Sequence, residues 1–293
     1  MATPAQWVEG ARPRTLPAAV SPVLAGTGIA VHAHSFVWEK ALLALVVALA
    51  LQVGVNYAND YSDGVRGTDT NRVGPLRLVG SGAAPAGQVK TAGYACFALA
   101  AVTGLTLAAT SSWWLLLVGG GAIVAAWFYT GGSVPYGYRA LGELSVFVFF
   151  GLVAVVGTSY VQTERLTAGE WWAGAGVGAL ACAILVANNL RDIPTDLLVG
   201  KRTLAVVLGD GGSRRLYDVL LAAAAASLVA VAATVTWWAL LGLACLPLAL
   251  HALSVVRRGA TGAALVPVLR DTGLTELSYA LGLLLGCVVS VAV

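Results

Sequence analysis

ALLALVVALALQVGVNYANDYSDGVRGTDTNR, residues 41–72, opens as an apolar run broken by little more than Gln52 and closes as a dense polar stretch. The part from about 41 to 59 has the length, roughly 17–25 residues, that an α-helix needs to cross hydrocarbon. At its end Asn56 and Asp60 are four apart, Asn59 and Asp63 are four apart, and Asp60 and Asp63 are three apart. On a continuing helix these spacings make one polar face. Asp69 follows beyond Gly64 and Gly67, where the chain can turn back toward the same place. Carboxylates beside hydrocarbon are costly unless they meet cations or bases. This stretch therefore sets both the fold class and the place to look for chemistry.

The transition recurs once. NNLRDIPTDLLVGKR, residues 188–202, puts Asn188, Asp192 and Asp196 at spacings of four, with Pro194 between the acids and Lys201 and Arg202 just beyond Gly200. Two such transitions hint at an internal structural repeat. Apolar segments at about 16–34, 41–59, 91–109, 113–131, 143–161, 172–190, 216–234, 237–255 and 273–292 predict nine membrane helices in an all-α, polytopic membrane protein, with residues 1–293 forming a single domain. Composition agrees, because only 11 % of residues are charged and 58 % are hydrophobic, whereas a soluble domain carries roughly 25 % charge. The short alternating strands of a membrane barrel are absent. Cys96, Cys182, Cys245 and Cys287 lie apart inside apolar runs and read as packing residues.

With nine spans and an inner N-terminus, every Lys and Arg except Lys40 and Arg165 falls on the inner side. That is the positive-inside bias. It puts the N-terminus and both Asp motifs in the cytoplasm and the C-terminus outside; the abundant Ala and Gly are compatible with a bacterial gene, so the expected location is a bacterial inner or plasma membrane. The pairs Trp113–Trp114, Trp171–Trp172 and Trp237–Trp238 then sit at the outer headgroup layer. The basic loops are explained by topology and imply no nucleic-acid recognition.

Five aspartates on two polar helix ends suit Mg²⁺, above all when a substrate adds phosphate oxygens. Asn56, Asn59, Asn188 and Asn189 can add oxygen ligands or orient the acids. Arg66, Arg72, Lys201 and Arg202 can meet the remaining phosphate oxygens. Metal ions held between the clusters would draw charge from a diphosphate leaving group and promote cleavage of an allylic carbon–oxygen bond. A long isoprenoid tail would lie among the helices, bordered by aromatics such as Tyr57, Phe147, Phe149 and Phe150. The plain alternative for those aromatics is ordinary helix packing.

These paired motifs resemble those of the UbiA-type intramembrane aromatic prenyltransferases. The resemblance extends over nearly the whole chain and implies nine helices around a central cavity. Four places resemble the branch that prenylates 1,4-dihydroxy-2-naphthoate in menaquinone synthesis: WVEGARPRTLPAAVSPVLAGT from Trp7, NDYSDGVRGTDTNRVGP from Asn59, PYGYRALGELSVFVFFG with Tyr138, Arg139, Gly142 and Glu143, and NNLRDIPTDLLVGKRTLAVVLG from Asn188. The implied reaction joins a polyprenyl diphosphate to 1,4-dihydroxy-2-naphthoate with loss of diphosphate and carbon dioxide. It implies Asp60, Asp63, Asp192 and Asp196 as first metal ligands and catalytic residues, with Asp69 next. Lys201 and Arg139 become anion contacts, and Tyr138 joins the substrate-binding set. Membrane lipid is the only other expected partner, with no obligate protein. Another aromatic acceptor such as 4-hydroxybenzoate, or a cation-coupled transporter, remains as an alternative. Several bases beside the acids suit an anionic substrate better than transport.

Overall fold

The computed structural model describes residues 2–67 and 76–293. Asp69 and Arg72 lie outside the described residues. A short helix α1 (Pro4–Gly10) precedes α2 (Pro17–His32), and the helical segment Pro4–Thr15 that contains α1 is bent by 49° against α2. There follow α3 (Trp38–Arg66), α4 (Ala86–Ala109), α5 (Leu115–Phe128), α6 (Gly142–Thr163), α7 (Ala168–Leu198), α8 (Leu204–Thr234), α9 (Trp237–Arg257) and α10 (Gly262–Ala292). Among the described residues there is no strand, only an isolated bridge between Arg139 and Arg202.

The expectation of nine spans is met in part. Seven described helices, α3, α4 and α6 to α10, are long and apolar enough to cross a membrane, and α1 with α2 makes an eighth if the bent pair counts as one. The segment expected at 113–131 is helical only over the 14 residues of α5. At about 1.5 Å per residue it reaches about 21 Å, short of the roughly 30 Å hydrocarbon core. Past Phe128 come Tyr129 and Thr130, and then Gly131 and a left-handed Gly132 (φ 75°) redirect the chain. The span expected from 216 begins earlier, at Leu204, and is kinked at Gly209 (φ 70°).

α7 is the hub, packing on α8, α6, α10 and α2. Its start is fixed by Thr167 and Glu170, which cap each other's backbone groups reciprocally. Lipid tails are as apolar as leucine, so these helices gain little by hiding from them and gain mainly by approaching closely. Glycines permit that approach. A Cβ on Gly151 of α6 would lie 2.5 Å from the Gly178 Cα and 2.6 Å from the Gly174 carbonyl oxygen of α7. Gly282 and Gly286 of α10 seat in the same way on the Trp238–Gly242 stretch of α9.

Within α6, residues Phe147–Val153 form a π-helical stretch. Cavity-facing residues along α6 come in adjacent pairs four apart: Ser145 and Val146, Phe149 and Phe150, Val153 and Ala154, Gly157 and Thr158. Four residues of plain α-helix overshoot a turn by about 40°. The wider π turn offsets that drift and keeps both files on one wall.

Candidate active site

α3 continues beyond its apolar part and stops at Gly67, whose left-handed φ of 72° closes the helix. Its last turns carry the first motif. The Asn56 amide donates to the Ala11 carbonyl (2.9 Å) and to Thr15 Oγ1 (3.1 Å), while Gln52 donates to the same Thr15 oxygen (2.9 Å). The polar face of α3 thereby holds the turn that carries Arg12 in a left-handed conformation (φ 56°). Asn59 Oδ1 accepts from the Thr130 hydroxyl at 2.7 Å. Asp63 Oδ1 accepts from the Tyr138 phenol at 2.6 Å, and Oδ2 lies 3.9 Å from Arg77 Nη2. Arg66 donates to the carbonyls of Thr130 and Gly132 and stands 5.6 Å over the Tyr138 ring.

Asp60 is placed differently from the expectation. It is fully buried, and its two carboxylate oxygens accept the backbone N–H groups of Leu78 (2.7 Å) and Val79 (3.0 Å). It lies behind the cavity wall and anchors the chain that returns after the first motif.

The end of α7 carries the second motif. Arg191 grips Asp192 through Nε (2.7 Å) and Nη2 (2.8 Å), and Nη2 also donates to Asn188 Oδ1 at 2.9 Å. Asp196 lies 3.6 Å from the Lys201 ammonium and accepts from the Thr203 hydroxyl at 3.4 Å. Lys201 stands 5.2 Å over the ring of Tyr138, and the Arg202 N–H donates to the Tyr138 carbonyl at 3.1 Å. Tyr138 is thus the joint between the motifs, with its hydroxyl on one and its ring and carbonyl on the other. Changing Tyr138 to Phe removes the donor to Asp63 and keeps the ring. We expect about a tenfold fall in kcat/KM from losing a bond to a charged acceptor, with the melting temperature nearly unchanged. Steady-state kinetics beside thermal melts check this, and unchanged kinetics would count against Tyr138 as the joint.

Both motifs reach one cavity of about 1110 Å³. Asn56, Asn59, Asp63, Asn188 and Lys201 line it, whereas Arg66, Tyr138, Arg139, Asp192, Asp196 and Arg202 stand behind that lining. Asn189, Arg12, Arg14, Arg77, Arg191 and Arg270 line it too. Among the described residues the charged lining is six bases against two acids, Glu9 and Asp63, a balance that suits an anion. The remaining wall is mostly apolar and comes largely from α2, α3, α5 and α6. Tyr136 also faces the cavity. Burial pushes its phenol up, against a smaller lowering by the hydrogen bond with Ser145, so it stays neutral.

Sequence reasoning assigned Arg77 and Arg191 only to topology. The cue for Arg191 lay in its position between Asn188 and Asp192. For Arg77, a base returning after an acidic helix end was the only hint.

The oxygens gathered here come from carboxylates and amides, without histidine or cysteine, a donor set suited to a hard cation. Among the described residues no three acidic, histidine or cysteine side chains form a ready metal cluster. The donors fit Mg²⁺ held by few protein oxygens and completed by phosphate and water.

An apolar membrane cavity with a cationic, oxygen-rich end defines an intramembrane enzyme for substrates that join an anionic head to a hydrocarbon chain. The sequence pattern of the UbiA prenyltransferase family matches residues 19–266, and the chain belongs to that family. It is 57 % identical over 285 residues to the 1,4-dihydroxy-2-naphthoate octaprenyltransferase of Mycobacterium tuberculosis, covering 96 % of each chain. To the Escherichia coli K12 protein of the same name it is 38 % identical over 292 residues, covering 95 % of each. The fold is shared with a UbiA homologue from Aeropyrum pernix K1 at a TM-score of 0.71 and 17 % identity, covering 94 % of this chain and 98 % of that one. It is shared also with the Archaeoglobus fulgidus homologue bound to GPP and Mg²⁺, at a TM-score of 0.63 and 15 % identity, covering 95 % and 99 %.

Proposed function

We infer that the protein transfers a polyprenyl group from a polyprenyl diphosphate to 1,4-dihydroxy-2-naphthoate, releasing diphosphate and carbon dioxide and giving demethylmenaquinol. The observation that carries this reading is the meeting of two acid- and amide-bearing helix ends at the basic end of one largely apolar cavity. Near-full-length similarity to relatives named for this reaction supports the aromatic acceptor.

In this reading Asp63, Asp192 and Asp196 hold Mg²⁺, with Asp69 joining them, while Asp60 holds the returning chain. Bound Mg²⁺ would neutralise the diphosphate as it leaves. Lys201, Arg77 and Arg191 meet phosphate oxygens, and Arg66, Arg72, Arg139 and Arg202 keep the surrounding field positive. Asn188 orients Arg191 through its side-chain amide, while Asn56 and Asn59 line the same end and tie it to the Ala11–Thr15 turn and to Thr130. The apolar wall holds the prenyl chain and excludes water that would otherwise capture the allylic cation. Ring attack at the carboxyl-bearing carbon followed by loss of carbon dioxide restores aromaticity. The whole chain acts as one domain in a bacterial plasma membrane, with nine helical passes, some short or bent, around a central cavity. The N-terminus and both motifs face the cytoplasm, the C-terminus faces outward, and lipid is the only other partner required.

The test is to incubate detergent-purified protein with both substrates and Mg²⁺ and to identify products by mass spectrometry. Prenylated, decarboxylated naphthoquinol is expected. Removing the metal with EDTA should cut its formation at least about a hundredfold, and Mg²⁺ should restore it. Consumption of a different aromatic acceptor in place of the naphthoate would overturn the acceptor assignment.

A further inference from the structure

We propose that Asn189 is the catalytic residue that accepts a hydrogen bond from a hydroxyl of the aromatic acceptor, and that Glu143 is the positioning residue that aims it. Glu143 lies on the first turn of α6 and is 8 % exposed. Its Oε1 accepts the Asn189 amide N–H at 3.0 Å, while its buried Oε2 has no hydrogen-bond partner among the described residues. Burying a carboxylate with one oxygen unsatisfied is costly. Helix packing does not call for it, since the Glu143 carbonyl already takes the Cys182 thiol at 3.1 Å and the Gly151 contact joins α6 to α7 independently.

Asn189 lines the cavity, and its amide nitrogen is committed to Glu143. That bond fixes which way the amide points and offers Oδ1 as the acceptor. An amide that donates to a carboxylate carries more negative charge on its oxygen, because hydrogen bonds in a chain polarise one another. Asp63, Asn56 and Gln52 also bring acceptor oxygens to the cavity, but the Asn56 and Gln52 amides are held by neutral oxygens of Ala11 and Thr15, not by a buried carboxyl group. Arg191 and Lys201 have no acceptor atom, Asn188 Oδ1 takes Arg191, and Asn59 Oδ1 takes Thr130.

The ligand must therefore bring a donor. A diphosphate and a hydrocarbon tail bring none, whereas a dihydroxylated aromatic acid does; this step rests on the acceptor proposed above. As the ring attacks the allylic carbon, its hydroxyl oxygen becomes more positive and its O–H a stronger donor. A bond that strengthens along the reaction lowers the barrier. The proton stays on the substrate oxygen, and the Glu143 carboxyl oxygen stands behind the amide.

The test uses the full-length protein with Glu143→Gln, Glu143→Asp and Asn189→Ala. Kinetics are measured for both substrates, together with equilibrium binding of 1,4-dihydroxy-2-naphthoate and its 1,4-dimethoxy counterpart. The wild type should prefer the hydroxylated compound about tenfold. Glu143→Gln and Asn189→Ala should each remove most of that preference and lower kcat about tenfold, with the KM for polyprenyl diphosphate unchanged. Glu143→Asp should recover part of both. A hydroxyl preference and kcat left intact in Glu143→Gln would overturn the proposal while the proposed reaction stood. So would a loss spread over both KM values and the melting temperature, which marks a structural role. Wild-type protein that forms no naphthoquinol but keeps a Glu143-dependent hydroxyl preference would overturn the reaction and leave this site standing.

Discussion

Replacing Asp63 with alanine is expected to cut turnover at least about a hundredfold while the protein stays folded. Among the described residues Asp63 is the motif aspartate that lines the cavity. It takes the Tyr138 phenol at 2.6 Å and lies 3.9 Å from Arg77, so one carboxylate serves the loop, a base and the proposed metal. Without it, six lining bases face Glu9 alone among the described residues. The anionic substrate would still be drawn in, but the oxygen that shares its metal would be gone. The expected signature is a large loss in kcat with a raised Mg²⁺ requirement, and Asp63→Glu should recover part of the rate. Titrating Mg²⁺ against turnover reads both. Full activity of Asp63→Ala at low Mg²⁺ would remove Asp63 from the metal set.

Replacing Gly286 with leucine is expected to cost about 3 kcal/mol or more, beyond ordinary overpacking. A Cβ there would lie 2.1 Å from the Trp238 carbonyl oxygen and 2.5 Å from its carbonyl carbon. Both are backbone atoms, so no side chain can swing aside. One turn earlier, a Cβ on Gly282 would meet the Leu241 oxygen at 2.5 Å and the Gly242 Cα at 2.6 Å. Separating α9 from α10 would forfeit the close contact that holds these helices in lipid. A control is Gly119→Ala in α5, where nothing lies within 4 Å of the added carbon. That change should be neutral or stabilising by up to about 1 kcal/mol through helix propensity. Thermal melts in one detergent compare the two, and equal melting temperatures would refute the packing argument.

Hydropathy made the long helices legible because a membrane leaves the backbone few alternatives to helix. The polar faces were equally legible, since spacings of three and four need no knowledge of neighbours. What failed was whatever depends on a distant partner. Asp60 carries the same spacing signal as Asp63, yet the Leu78 and Val79 amides that claim it lie in the chain's return. Asn189 falls off the Asn188–Asp192–Asp196 stripe, and only its pairing with Glu143 on another helix gives it a direction. α5 was overestimated because Trp113 and Trp114 before it and Tyr129 after it read like helix residues although they lie in turns. The π-helical stretch of α6 left no mark in the hydropathy pattern.

That stretch also has a hereditary meaning. A π turn holds one residue more than the α-helical turn it replaces, and it often sits where function does. Losing a single codon between Phe147 and Val153 should therefore leave a plain helix, with Ser145 and Thr158 on either side keeping their faces. Only the residues between would be reassigned, moving Phe149 or Phe150 out of the cavity wall. In most membrane helices a one-codon deletion rotates everything beyond it by about 100°. Here a lineage can reshape the lining of its reaction chamber by insertion or deletion and still inherit the rest of the helix in register.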